Sequence, residues 1–180
     1  MESGTARLIS RKQIVYKSKP FVSLCTLLAE LPVQDAILDG ELICLGPDGR
    51  SMFMDLMRRK RRDVIFHAFD LVWLDGQNLR PLPLLDRKAA LRQVLKLSKM
   101  PALLYADHVE RIGTSFFKAI CARDCEGIVG KHRDGRYSTA PNSWVKVLNP
   151  DYTQKRGRRE MFDKFRERRP APSAHQSTAY

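Results

Sequence analysis

Residues 36–45, A-I-L-D-G-E-L-I-C-L, read as a strand, yet two carboxylates, Asp39 and Glu41, sit inside the apolar run. An unpaired carboxylate buried in a sheet costs several kcal/mol, about as much as a small domain's whole margin allows. Both acids must therefore face a cation, a ligand or water, and the strand needs one face that is not core. Gly40 between them permits a bulge or the close approach of a ligand. Taken alone, D-G-E also fits a hairpin turn.

Two further stretches break the apolar rule in the same way. Glu126-Gly127-Ile128-Val129-Gly130-Lys131 carries an acid at one end, a base at the other and two glycines. In Trp144-Val145-Lys146-Val147 the two valines point one way, Trp144 and Lys146 the other; Lys146 could equally face only solvent. Between these lies Phe66-His67-Ala68-Phe69-Asp70-Leu71, an aromatic-rich strand of the kind that more often fills a core than supports a ligand.

Alternation and β-branched content predict strands at 6–9, 36–45, 64–74, 103–107, 127–131 and 144–148, and helical periodicity predicts helices at 21–30, 52–59, 86–97 and 114–123. Pro83 and Asp86 suit the start of the third helix, which should turn Ala89, Leu91, Val94 and Leu95 inward. Turns are expected at Gly46–Gly49, Asp75-Gly76 and Asp134-Gly135. Strands mixed with helices in no strict βαβ order argue for an α+β fold, with the core within about residues 6–148. Residues 151–169 keep some helical potential, and 170–180 read as a disordered end.

Charge and cysteines narrow the class. The 180 residues carry a net charge of +12, with +4 in residues 1–20 and +4 in residues 151–180. A central cluster, Arg58-Arg59-Lys60-Arg61-Arg62, adds to it. Clustered Lys and Arg favour a polyanion through counterion release, so nucleic acid is the expected partner. No apolar run approaches the roughly 18–20 residues of a membrane span, and no signal-like N-terminus is present, so a cytoplasmic protein without membrane contact is expected. Cys25, Cys44, Cys121 and Cys125 form no C-x-x-C pair. They read as reduced, mostly buried thiols rather than zinc ligands.

Taken together and in order, these stretches resemble the adenylation (nucleotidyltransferase) domain of ATP-dependent DNA ligases, of the bacterial end-joining type. I-L-D-G-E-L-I resembles motif III, and residues 66–91 resemble motif IIIa with its following helix. E-G-I-V-G-K resembles motif IV, W-V-K-V the run into motif V, and R-L-I-S-R-K the motif Ia strand. The resemblance implies a partial ATP-grasp-like nucleotidyltransferase fold, with antiparallel sheets flanked by helices. It also implies a nick-sealing function by AMP transfer in DNA repair and recombination.

By that resemblance Glu41 binds the ribose, Phe69 stacks on adenine, and Glu126 holds Mg2+ (or Mn2+). Lys131 and Lys146 stabilise charge on the α-phosphate of ATP, and Arg11 touches a phosphate of nicked or broken double-stranded DNA. Asp39 is expected to support the polar network.

The family's nucleophile is the lysine of K-x-D-G, and no lysine here is followed by x-Asp-Gly. Arg11-Lys12-Gln13 stands where the family has Arg-Asn-Gly, and Leu148 where motif V has a second lysine. The expectation is thus an adenylation domain over residues 1–148 without its leading strands and OB domain, then a basic segment over 149–180. Such a copy would be incomplete or inactive, or complemented by a companion polypeptide. The alternative is a non-catalytic DNA-binding remnant or accessory subunit. An RNA ligase or capping-type transferase shares the chemistry but fits the 66–91 and 148–154 segments less well.

Overall fold

The structure is a computed structural model that describes residues 4–47, 49, 51, 52, 56, 64–138, 140 and 144–154. The Arg58–Arg62 cluster, nearly all of the helix expected at 52–59 and the tail from residue 155 lie outside the described residues; Leu56 is helical.

Helix α1 (Lys19–Leu28) has Pro20 in its first turn and buries Phe21, Leu24 and Leu28, one stripe at helical spacing. Strand β1 (Ala36–Ile43) runs antiparallel to β2 (Ile65–Leu74). Asp75 (φ 45°) and Gly76 (φ 79°) make the tight turn into the short β3 (Gln77–Asn78). Paired positive φ angles suit the twist of a hairpin. The Asp35 carboxylate secures this corner, accepting from Trp73 Nε1 and Gly76 N–H at 2.9 and 2.8 Å. Strand β4 (Leu103–Tyr105) pairs parallel with β2, so β2 is the central strand of this sheet. Helix α2 (Leu84–Ser98) packs on β2 and β4. Helix α3 (Gly113–Ala122) then leads to a separate antiparallel pair, β5 (Gly127–Lys131) and β6 (Trp144–Leu148). The fold is α+β with antiparallel pairing dominant, as expected, although β3 was not foreseen.

The register of β1 against β2 solves the problem set by Asp39 and Glu41. Two residues of β2, Phe69 and Val72, have no partner in β1 and are extra residues of two β-bulges. Because each bulge shifts the alternation by one, Phe66, Ala68, Leu71 and Leu74 all turn to the core, opposite Leu42, Gly40, Leu38 and Ala36. The reverse face receives the pairs Asp39 with Asp70 and Glu41 with His67. Gly40 is required for close packing rather than ligand approach. A Cβ there would stand 2.6 Å from the His67 carbonyl and 2.7 Å from the Phe66 ring.

Some expected features differ. Residues 6–9 form no strand; only Ile9 bridges to Val15, because the chain reverses at once through Ser10–Gln13. Gln13 takes φ 59° at the position where the resembling family has glycine. In α2, Ala89 is exposed, whereas Arg87 and Lys88 are buried beside Leu91, Val94 and Leu95. The buried arc begins at Leu84, one turn earlier than expected, and brings those two cations round to β2. Of the cysteines, Cys44 alone is fully buried; the other three are partly exposed free thiols.

Candidate nucleotide site

The polar face of β1–β2 meets the β5–β6 pair through a set of charged and aromatic side chains. Its anchor is Asp70, fully buried in β2 and gripped by Arg87 of α2 through two bonds of 2.8 and 2.9 Å. Arg87 spends its remaining nitrogen on the Leu82 and Gly135 carbonyls, which ties the loop after β5 to α2. A bidentate Arg–carboxylate pair in which every guanidinium nitrogen donates is the arrangement that tolerates burial.

Asp39 lies directly opposite Asp70 in the ladder, where a second charge is unfavourable. It accepts a 2.9 Å hydrogen bond from the Tyr137 hydroxyl. Burial pushes the Asp39 carboxyl up from its ordinary value, against the Tyr137 hydrogen bond and the Lys131 charge. Burial, with the adjacent Asp39 charge, pushes the Tyr137 phenol up to about 12. The pair is thus a phenol donating to a carboxylate that shares the site with a cation lacking a hydrogen-bond acceptor among the described residues.

That cation is Lys131. Its Nζ sits 4.3 Å from the Phe69 ring centroid and 3.8 Å from that of Trp144, the rings meeting edge to face 5.9 Å apart. The Nζ is buried and has no hydrogen-bond partner among the described residues. Burial lowers the Lys131 pKa, opposed by the charges of Asp70 and Asp39. Lys131 and Trp144 face each other across β5–β6, and Lys146 lies opposite Val129 on that same face, one pleat further along. A shallow cleft here is lined by Arg87, Lys131, His132, Arg136 and Trp144.

The structure thus brings together Phe69, Lys131 and Asp39, with Lys146 on the adjoining face. Glu41 is exposed on the same face of β1 as Asp39, 3.9 Å from His67 Nδ1. Glu126 is exposed immediately before β5, its backbone carbonyl accepting from Asn149 N–H. Arg11 is exposed in the Ser10–Gln13 turn and makes no ion pair with these residues among those described.

Sequence reasoning passed over Trp144 as a wall of the site, Tyr137 as the partner of Asp39, and the Asp70–Arg87 pair. The signal for the last was present: Asp70 breaks the F-H-A-F-D-L-V apolar run, and Arg87 falls on the Leu84–Leu91 stripe of α2. Lys88, also buried, donates to the Ala106 carbonyl at 2.8 Å and lies 4.6 Å from the Tyr105 ring centroid. Burial, with the Lys131 charge next in size, holds its pKa down to about 8.

Residues 1–147 match the family model described as ATP dependent DNA ligase domain. The chain belongs to the ATP-dependent DNA ligase family. It is 30% identical over 135 residues to the SPbeta prophage-derived DNA ligase-like protein LigB of Bacillus subtilis, covering 71% of this chain and 49% of that protein. With the multifunctional non-homologous end joining protein LigD of Pseudomonas aeruginosa it shares 28% identity over 152 residues, 82% of this chain and 18% of that protein. Among solved structures, it resembles the ligase domain from M. tuberculosis LigD with a TM-score of 0.68 and 31% identity, over 82% of this chain and 49% of that one. A mycobacterial DNA ligase D complexed with ATP and MES superposes with a TM-score of 0.62 and 28% identity, over 82% of this chain and 52% of that one. The ligase-family chain thus spans about half, or less, of the length of these relatives. Its α+β fold is that of ligase nucleotidyltransferase domains. Among the described residues no helix is long and apolar enough to cross a membrane.

Proposed function

We propose that residues 1–148 form the part of a DNA ligase adenylation domain that binds an adenine nucleotide and its metal ion, in sealing nicked or broken double-stranded DNA during repair and recombination in the cytoplasm. The observation that carries this reading is the meeting of Phe69, Trp144 and Lys131 beside the polar face of β1–β2: an aromatic platform, a cation without an acceptor among the described residues, and carboxylates at hand. The solved ligase D described with ATP supports it.

In this reading Phe69 stacks on adenine, Glu41 accepts from the ribose hydroxyls, and Lys131 and Lys146 bear on the α-phosphate. Cations already in place where charge develops are the largest lever in phosphoryl-type transfer. Arg11, on its exposed turn, contacts a DNA phosphate, and the basic 149–180 segment adds affinity for the backbone.

Among the described residues no group of three or more metal-binding side chains forms a cage. Magnesium commonly needs only one or two carboxylates, the rest of its shell being phosphate oxygen and water. Glu126 fits that role, so Mg2+ or Mn2+ would be held jointly by Glu126 and the nucleotide. Once bound, the ion would neutralise phosphate charge.

No lysine of the 180 residues precedes x-Asp-Gly, so in this reading these residues hold the nucleotide without a covalent bond, and the nucleophilic lysine comes from outside them, a companion polypeptide being one source. The exposed Val129, Val145, Val147 and Leu148 of β5–β6 offer apolar surface for it. Calorimetric titration should detect AMP and Mg-ATP binding, weakened at least about tenfold by Phe69→Ala, the scale of one base–aromatic stack. Labelled ATP should leave no label on the chain after a denaturing gel. Retained label would overturn the non-covalent assignment, and absence of nucleotide binding would overturn the whole reading. Salt-dependent DNA binding without nucleotide binding would leave a non-catalytic DNA-binding accessory subunit, which the +12 charge also supports.

A further inference from the structure

Lys131 has two incompatible things to do. Its ammonium carries three donors, is buried, and has no acceptor among the described residues. The neighbouring carboxylates are otherwise engaged, Asp70 by Arg87 and Asp39 by Tyr137. What holds the cation is the pair of rings, Phe69 at 4.3 Å and Trp144 at 3.8 Å. The face of Phe69 turned toward β5–β6 is therefore already covered. A base stacked on that face needs the volume the ammonium fills.

We propose that Lys131 is a specificity-determining residue that makes stacking of a base on Phe69 conditional on a phosphate, so that the site selects a nucleotide over its nucleoside. This inference rests on the reading of Phe69 as the adenine platform. A nucleoside entering the site expels the ammonium from its aromatic box and offers it no anion in return. A nucleotide expels it equally but presents a phosphate oxygen, and the lost cation–π contacts are replaced by a charge-assisted hydrogen bond. Base and phosphate thus bind cooperatively through one side chain that exchanges partners, a coupling that exists only because the two positions of Lys131 exclude each other. Asp39 and Asp70 keep the cation near the boundary between the two sheets in either position, since both charges favour the protonated lysine.

The test is equilibrium dialysis of adenosine and of AMP, without metal, against the full chain and its Lys131→Ala and Lys131→Arg variants, with folding checked by circular dichroism. Lys131→Ala should tighten adenosine by about tenfold and weaken AMP by about tenfold, so that the preference for AMP falls about a hundredfold. Tenfold is about 1.4 kcal/mol, within the range of a desolvated cation–π contact. Lys131→Arg, which keeps both the charge and the ability to stack, should preserve the preference. Adenosine affinity that is unchanged or weaker in Lys131→Ala overturns the coupling and leaves Lys131 a plain phosphate contact. Phe69→Ala combined with Lys131→Ala separates the two readings. Loss of adenosine binding there keeps Phe69 as the platform whatever Lys131 does. Unchanged adenosine binding overturns the platform itself.

Discussion

The β1–β4 sheet with its helices and the β5–β6 pair share one site but are held by different forces. The first region buries Ala36, Cys44, Ala68, Leu71, Leu91 and Leu103 to a few per cent exposure or less, and the buried Asp70–Arg87 pair lies within it. The second has no fully buried residue in β5, β6 or α3. It is attached to the first by polar and aromatic contacts: Arg87 to the Gly135 carbonyl, Tyr137 to Asp39, and Lys131 to Phe69. Apolar burial sets the stability of the first region, while the sparsely packed region carries Lys131 and Lys146, the lysines of the proposed phosphate contacts. Elements with few buried contacts open at low free energy, which suits a surface that must exchange partners.

Removing Arg87 should test this division most severely. Arg87→Ala leaves the Asp70 carboxylate buried and unpaired and releases the Gly135 loop at the same time. A loss of about 3–5 kcal/mol in urea unfolding is expected. A loss below about 1 kcal/mol would mean that the first region does not depend on this pair.

Tyr137→Phe attacks only the connection. It removes one hydrogen bond to a half-buried carboxylate, with an expected cost of about 1–2 kcal/mol. Amide exchange should accelerate in β5–β6 and stay unchanged in β1–β2; equal acceleration in both would show that the regions unfold as one.

Gln13→Gly is the smallest and runs the other way. A non-glycine residue at φ 59° bears a strain of about 1 kcal/mol, so glycine should raise stability by up to that amount in the same urea experiment.

The pH dependence of the first region follows from Lys88. Below about pH 8 its amine is protonated in both folded and unfolded chains, and the burial penalty is fully present. From about 8 to 10.5 the unfolded chain still binds a proton that the folded chain has released, so stability rises with pH. Lys88→Met should shrink that rise, as followed by urea midpoints at pH 7, 8.5 and 10. An unchanged rise would assign it to another group.

Much of this was legible in the sequence because it is local. Asp75-Gly76 announced its turn, since paired positive φ angles suit few other dipeptides. Leu91, Val94 and Leu95 marked the inner stripe of α2 by spacing alone. The D-G-E and E-G-I-V-G-K stretches stood out because charge inside a strand demands a reason. The errors were also local in origin. Residues 6–9 alternate like a strand but meet only one partner before the Gln13 turn. Ala89 looks like a core residue by composition and spacing, but the angular position of Arg87 and Lys88 decides which side of α2 faces β2.

The sequence by itself determined the order of the main helices and strands from Lys19 on, the presence of acids within strands, and the absence of a lysine before x-Asp-Gly within these residues. Only the tertiary structure decided which way those acids face, because the bulges at Phe69 and Val72 shift the alternation and exist only in the pairing of β1 with β2. It also decided that Asp70 belongs to Arg87 and that Lys131 rests between Phe69 and Trp144, residues 62 and 13 positions from it in the chain. Alternation and periodicity describe one segment at a time. The partner of a buried charge is chosen across space, by whichever group the packed fold leaves without another.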